Sequence, residues 1–93
     1  MRYAKLGYKL AVSAFNHDKD MREGLAALTP AERAGCYLEI WIDDAKKSVV
    51  WRLGHESISS DRILKLEDAV AHEDNYATTI EWAAKNNVLF IEG

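Results

Sequence analysis

The sequence is poor in the residues that lock small folds or bind cofactors, with one cysteine, one proline and five glycines among 93 residues. The single cysteine, Cys36, excludes an intramolecular disulfide or a multi-cysteine zinc site, and favours a reducing, cytoplasmic location. The glycines are isolated, so no glycine-rich loop presents several backbone amides to a phosphate. No uninterrupted apolar run exceeds four residues, as at 88–91, whereas a membrane helix needs about 20. These absences predict a soluble chain without a bound cofactor.

The composition of the chain predicts one small globular domain spanning 1–93. It is 48% hydrophobic and 29% charged, with a formal net charge of −3. Basic residues outnumber acidic ones in 1–22, and acidic residues dominate 54–93. Such an asymmetry fits pairing within the domain, pairing between copies, or separate partners for the two ends.

Residues 36–53, CYLEIWIDDAKKSVVWRL, fit two incompatible periodicities. As a helix, the segment places apolar residues on one stripe; these are Leu38, Trp41, Ile42, Ala45, Val49 and Leu53. As two strands joined by a turn at 44–47, its apolar and polar residues alternate. The choice decides between an α+β fold and an all-helical bundle.

The hairpin explains more of this segment than the helix does. It sets Ile42 opposite Val49, Ile40 opposite Trp51, and Leu38 opposite Leu53, which makes one face wholly apolar. On the other face Glu39 meets Arg52 and Trp41 meets Val50, pairs that contribute roughly 0.2–1 kcal/mol each. We therefore predict a β-hairpin over about 36–53.

Helical patterns and caps elsewhere predict five further segments, three before the hairpin and two after it. An amphipathic helix is expected from Tyr3 to about Phe15, and a short one over 18–28. Thr29, Pro30 and Glu32 form a capping-box helix start; in the all-helical alternative this helix runs on to Leu53.

After the hairpin, a helix capped at Ser59 or Ser60 is expected to break near Glu73 and Asp74 and to resume over 76–85. The last strand, 88–91, is expected to add to the hairpin. The predicted fold is α+β: N-terminal helices, a central hairpin, two more helices and a short C-terminal strand, with an all-α bundle as the alternative.

The histidines give little support to catalysis. Each is followed by an acid, but neighbouring residues diverge on a helix and do not chelate a metal by themselves. A metal-dependent hydrolase built on His17, Asp18 and His72 is a minor alternative. No activated serine or cysteine is evident, so the chain is expected not to be an enzyme and to hold no metal.

A basic stripe on the predicted first helix offers a second functional class. Arg2, Lys5 and Lys9 could contact a nucleic-acid backbone. The acidic balance of the whole chain opposes this, because a polyanion is repelled. A nucleic-acid-binding regulator is therefore the alternative function.

The aromatic residues outside the predicted core suggest protein binding. In the hairpin, Tyr37 and Trp41 share the second face, and Trp82 falls on the outward side of the last helix. Unless the N-terminal helices cover that face, these residues form a contact patch. Its acidic rim would be Asp68, Glu73 and Asp74.

The preferred function is a protein-binding module without catalytic activity. An inhibitor, an immunity- or antitoxin-like factor, or an accessory subunit would fit these features. Because small cores often gain stability by self-association, a homodimer is also plausible.

Overall fold

Helices and an antiparallel sheet make up the chain. The computed structural model describes residues 1–16, 18–56, 61–70 and 73–92; of these, 61, 68–70, 73 and 74 are described by backbone alone. The elements in chain order are β1 (Arg2–Gly7), α1 (Tyr8–Ala14), α2 (Lys19–Ala26), α3 (Pro30–Gly35), β2 (Cys36–Asp43), β3 (Ser48–His55), α4 (Asp61–Val70), β4 (Glu73–Asp74), α5 (Tyr76–Lys85) and β5 (Ile91–Glu92). The predicted α+β class is confirmed, and the all-α bundle is wrong.

The hairpin of β2 and β3 has the predicted register. Ile40 pairs with Trp51, and Glu39 pairs with Arg52. The chain reverses over residues 44–47, where Lys47 takes a left-handed conformation with φ of 51°. Alternation of apolar and polar residues therefore outweighs the helical stripe that the same segment offers.

The five strands lie in the order β4-β3-β2-β1-β5, and every neighbouring pair is antiparallel. The central strand, β2, is paired along its length with β3 and over six residues with β1. Both edge strands are only two residues long. The hairpin and β1 therefore provide most of the sheet.

The expected helix from Tyr3 to Phe15 is wrong over its first part, because Arg2–Gly7 is strand β1. Helical structure begins only at Tyr8. As a strand, β1 buries Ala4 and Leu6 against the same core that Ile40 and Leu38 fill. The backbone pairing that β2 offers, together with this burial, overrides the local helical pattern.

The C-terminal strand exists, but its expected position is wrong. Its residues are Ile91–Glu92, and it pairs with β1, whereas the sequence had suggested addition to the hairpin. The β2 edge of the hairpin is occupied by β1, and part of the β3 edge, at residues 49–50, pairs with β4. Strand β4 lies where the helical stripe was expected to break, at Glu73–Asp74.

Side-chain caps start three of the helices. Asp18 caps α2, Asn75 caps α5, and Thr29 forms the predicted capping box with Glu32 at the start of α3. In that box Glu32 accepts a hydrogen bond from the Thr29 amide at 2.8 Å. The cap predicted at Ser59 or Ser60 falls outside the described residues. Each cap satisfies amides that the first helical turn leaves without partners.

The core lies between one face of the sheet and the helices. Its sheet residues come from alternate positions of three strands: Ala4, Leu6, Cys36, Leu38, Ile40, Ile42, Val49, Trp51 and Leu53. The helices and their connections contribute Ala11, Ala14, Phe15, Met21, Leu25, Leu28, Ile63 and Leu66. The architecture is therefore two layers, in which apolar residues of the described helices cover a single face of the sheet.

Asp44 links the hairpin turn to two other elements. It accepts two hydrogen bonds of 2.7 Å from the Arg2 guanidinium and one of 2.6 Å from the Tyr76 hydroxyl. These hydrogen bonds lower the pKa of Asp44 to about 2, and hydrogen bonding from Arg2 has the largest effect. The contact thus holds the start of β1 and of α5 to the turn.

This link predicts a specific acid sensitivity. An aspartate in an unfolded chain has a pKa of about 3.9, so the contribution of Asp44 is complete above that pH and is lost as pH falls towards 2. Asp44→Asn should lower the free energy of unfolding at neutral pH and flatten its dependence on pH between about 4 and 2. Urea unfolding across this range measures both effects.

Asp20→Asn, which changes an exposed acid on α2, is the control. It should keep the wild-type loss of stability between pH 4 and 2. If Asp44→Asn and Asp20→Asn show the same pH dependence, Asp44 does not have the role assigned to it.

Candidate functional site

The second face of the sheet is not covered by any described helix. Pairing places the alternate residues of β1, β2 and β3 on it: Tyr3, Lys5, Gly7, Tyr37, Glu39, Trp41, Asp43, Ser48, Val50, Arg52 and Gly54. Apart from Gly54, all of them are exposed or half-buried. The buried helical residues belong to the core on the other side. We call this side the open face.

An apolar row crosses the open face. It consists of Ile91 on β5, Tyr3 on β1, Trp41 on β2 and Val50 on β3, each paired with the next. Exposure reaches 63% for Ile91, 39% for Trp41 and 44% for Val50. The rings of Tyr3 and Trp41 contact each other with centroids 4.3 Å apart. Four strands therefore present one continuous line of apolar side chains to solvent.

A charged row lies beside the apolar row, two residues further along the strands. Its members are Lys5, Glu39 and Arg52, which are paired across β1, β2 and β3. Lys5 forms an ion pair of 2.6 Å with Glu56, and its ammonium lies 4.2 Å from the centroid of the Tyr37 ring. No ion pair joins Glu39 to another described residue, despite its position opposite Arg52.

Tyr37 lies at the far end of the open face, where its ring covers Gly54. A side chain at position 54 would bring a Cβ within 2.7 Å of the ring carbon Cζ of Tyr37. Glycine at this position therefore lets the ring lie flat against the strand. The resulting contact explains why Gly54 is buried on a face that is otherwise open.

Three of the residues proposed for partner binding, Tyr37, Trp41 and Trp82, have side chains that the structure describes. Tyr37 and Trp41 share the open face, as expected for a hairpin. Trp82 lies elsewhere, on α5, and is half-buried rather than outward: its ring is 6.1 Å from that of Trp51, and its Nε1 donates to Ser13 Oγ at 3.3 Å. The three aromatic residues therefore do not form one patch.

The proposed acidic rim is described by backbone alone. Glu73 pairs with Val50, so it stands at the β4 end of the apolar row, and Asp74 pairs with Val49. Asp68 lies on α4. Glu73 is thus next to the open face, and the role of all three acids stays a prediction.

The basic stripe expected on the first helix is wrong. Arg2 and Lys5 lie on β1, where their positions alternate between the two faces, and only Lys9 lies on α1. Arg2 is bound to Asp44, and Lys5 is bound to Glu56. The feature on which the nucleic-acid alternative depended is therefore absent from the fold.

The residues considered for a metal-dependent hydrolase are only partly described. His17 and His72 lie outside the described residues, and Asp18 accepts a hydrogen bond from the Met21 amide as a helix cap. Within 1–16, 18–56, 61–70 and 73–92, no three His, Cys, Asp or Glu residues are grouped to hold a metal. In the same residues no helix is long and apolar enough to cross a membrane.

Three members of the apolar row were not predicted to lie at the surface. Tyr3 falls at the start of the expected first helix, Val50 is predicted only as the cross-strand partner of Trp41, and Ile91 is predicted only as the end of the last strand. Alternation over Tyr3-Ala4-Lys5-Leu6 is the signal that could have identified β1. An alternation of only four residues is a weaker signal than the longer helical pattern that overlaps it.

No protein-family model, curated protein or solved structure matches this chain. The functional argument therefore depends on the geometry of the open face.

Cys36 is buried at the start of β2, with 3% of its surface exposed. Burial raises the pKa of its thiol, which keeps the sulfur protonated and poorly nucleophilic. In the folded chain, Cys36 should react with a thiol-specific reagent at pH 8 at least roughly tenfold more slowly than in denaturing urea. Equal rates in the two conditions would show that the fold does not shield the thiol.

A double-mutant cycle tests the contact between Tyr37 and Gly54. Replacing a strand glycine by alanine stabilises by about 0.5–1 kcal/mol when nothing obstructs the new methyl group. Gly54→Ala should give this gain in a Tyr37→Ala background, and no gain in the wild-type chain, where the ring must move away from Lys5. Urea denaturation measures all four chains, and a coupling free energy near zero would contradict the contact.

Proposed function

We propose that this chain is a non-enzymatic protein-binding module and that its docking surface is the open face of the sheet. The observation that supports the proposal is the apolar row, in which Ile91, Tyr3, Trp41 and Val50 lie in line on a face that no described helix covers. Large apolar side chains grouped on a surface are typical of interaction sites. Tryptophan and tyrosine are also the side chains that most often dominate binding energy.

The face is a better candidate than either edge of the sheet. An added strand needs a long edge with free backbone groups. Among the described residues, β4 pairs only with residues 49–50 of β3 and β5 only with residues 2–3 of β1, so each edge is stepped and is divided into short stretches. Docking through side chains of the open face is therefore the mode that fits this sheet.

Binding without chemistry suits an inhibitor, an immunity- or antitoxin-like factor, or an accessory subunit. Each of these acts by occupying a surface of another protein in a reducing compartment such as the cytoplasm. Nucleic-acid binding has less support, since Arg2 and Lys5 already bind carboxylates and the chain carries a net charge of −3.

A matched pair of substitutions tests the proposal. Val50 lies in the apolar row and Leu64 lies on α4, and each is 44% exposed. Val50→Glu should reduce capture of the natural partner at least roughly tenfold, because a charge replaces an apolar contact of the row, and Leu64→Glu should not. The wild-type chain and both variants are immobilised at equal density in native-cell lysate, and captured proteins are quantified by mass spectrometry.

Circular dichroism and thermal melting check that both variants fold. Ile91→Glu repeats the test at the other end of the row, where strand pairing is minimal. The proposal fails if no protein is captured, or if the wild-type chain, Val50→Glu and Leu64→Glu all capture the same proteins equally.

A further inference from the structure

The open face carries one acid and one base that form no ion pair with any residue that the structure describes. Glu39 and Arg52 are cross-strand partners in the charged row. Lys5, the third member of that row, is already bound to Glu56. Glu39 is half-buried beside the apolar row, where burial and its carboxylate raise the pKa of the Tyr3 hydroxyl. The row therefore presents one carboxylate and one guanidinium to a docking partner.

Arg52 is the arginine whose guanidinium the described part of the fold does not use. The other four arginines each donate a hydrogen bond to a carboxylate or a backbone carbonyl; they are Arg2, Arg22, Arg33 and Arg62. Arg52 is exposed, and among the described residues it has no hydrogen-bond partner. A guanidinium binds a carboxylate through two parallel hydrogen bonds, so an acid is the complement that Arg52 needs.

A second copy of the chain supplies this acid when a twofold axis runs along the strands between β2 and β3. Such an axis places β2 of each copy over β3 of the other and keeps every row at its own level. Glu39 then faces Arg52 of the other copy, and two ion pairs form because the relation is reciprocal. In the apolar row, Trp41 faces Val50 of the other copy in the same way.

The remaining levels of the two hairpins also fit this axis. Asp43 faces Ser48 of the other copy, and Tyr37 faces its Gly54, so no like charges meet. Lys5 lies one strand further from the axis and is bound to a carboxylate of its own chain. Sheets that pack face to face lie about 10 Å apart with strand directions within about 30°. The pairs next to the axis therefore stay opposite each other.

Other twofold axes match the face less well. An axis along β2 sets Glu39 against its own counterpart and Arg52 against Lys5. An axis along the apolar row sets Glu39 against Asp43. An axis between β1 and β2 sets Glu39 against Lys5, which is already bound within its own chain, and Arg52 then lies outside the two facing strands. The free guanidinium therefore favours the axis between β2 and β3.

We propose that the open face docks on the open face of a second copy, in a symmetric dimer that sets Trp41 against Val50 and Arg52 against Glu39. This inference rests on the proposed function and names the occupant of the face. Each contact occurs twice in such a dimer, which doubles the contribution of a short apolar row. A different protein that binds the same residues must displace the second copy.

Charge exchange between two variants tests the proposal. Arg52→Glu and Glu39→Arg should each weaken dimerisation at least roughly tenfold, because like charges then meet across the axis. An equimolar mixture of the two variants should dimerise again, since each glutamate of one chain faces an arginine of the other. Native mass spectrometry separates this heterodimer from both homodimers by mass, and sedimentation equilibrium gives the dissociation constants.

Lys9→Glu, an equal change of charge on α1, is the matched control and should leave the dimer unchanged. The chain that carries both Arg52→Glu and Glu39→Arg should dimerise like the wild type, because the two charges only exchange places. Circular dichroism and thermal melting check that each variant folds. If a single charge reversal unfolds the chain, Val50→Glu should dissociate the dimer through the contact with Trp41.

Three results would overturn the proposal. The first is a wild-type chain that stays monomeric up to its solubility limit. The second is a dimer that persists in both Arg52→Glu and Val50→Glu, which would use another surface. The third is a mixture of the two charge variants that forms no heterodimer. If the wild-type chain is monomeric while Val50→Glu abolishes capture from lysate, the docking face stands and a second copy is the wrong occupant.

Discussion

The pairing of β2 with β3 determines where the other elements of the sheet and its two faces lie. Side chains alternate along a strand, so the register that sets Ile40 beside Trp51 also sets Trp41 beside Val50 on the opposite side. A slip of one residue would turn over one strand relative to the other, placing either Glu39 or Arg52 on the core side. Burial of the apolar set under the helices therefore fixes which side chains the solvent meets.

Much of this arrangement is encoded locally enough to be predicted from the sequence. The hairpin register follows from alternation over 36–53, and α3 follows from the capping box of Thr29 and Glu32. Strand β1 was not predictable in the same way, because its six residues fit a helix that continues to Phe15. Its structure depends on pairing with β2, which lies thirty or more residues further along the chain, and the only local signal is the short alternation over residues 3–6.

The same limit applies to the candidate site. Tyr37 and Trp41 were assigned to the second face of the hairpin by register alone, whereas Tyr3 and Ile91 join them only through strands β1 and β5. Trp82 was expected to point outward because it lies off the apolar stripe of α5. In the fold it packs on Trp51, a residue from a different element. The set of exposed residues thus depends on contacts between distant segments more strongly than the positions of the helices and strands do.

The shortness of the two edge strands has a consequence for assembly. Strand pairing at an edge creates a new edge and can repeat without limit, as in fibrils. A face is fully occupied once the first partner has bound, and the stepped edges, where β4 and β5 each cover two residues of the neighbouring strand, give a further chain only short stretches of backbone to pair with. Complexes formed by this sheet should therefore have a fixed stoichiometry and a finite size, even where the chain is abundant.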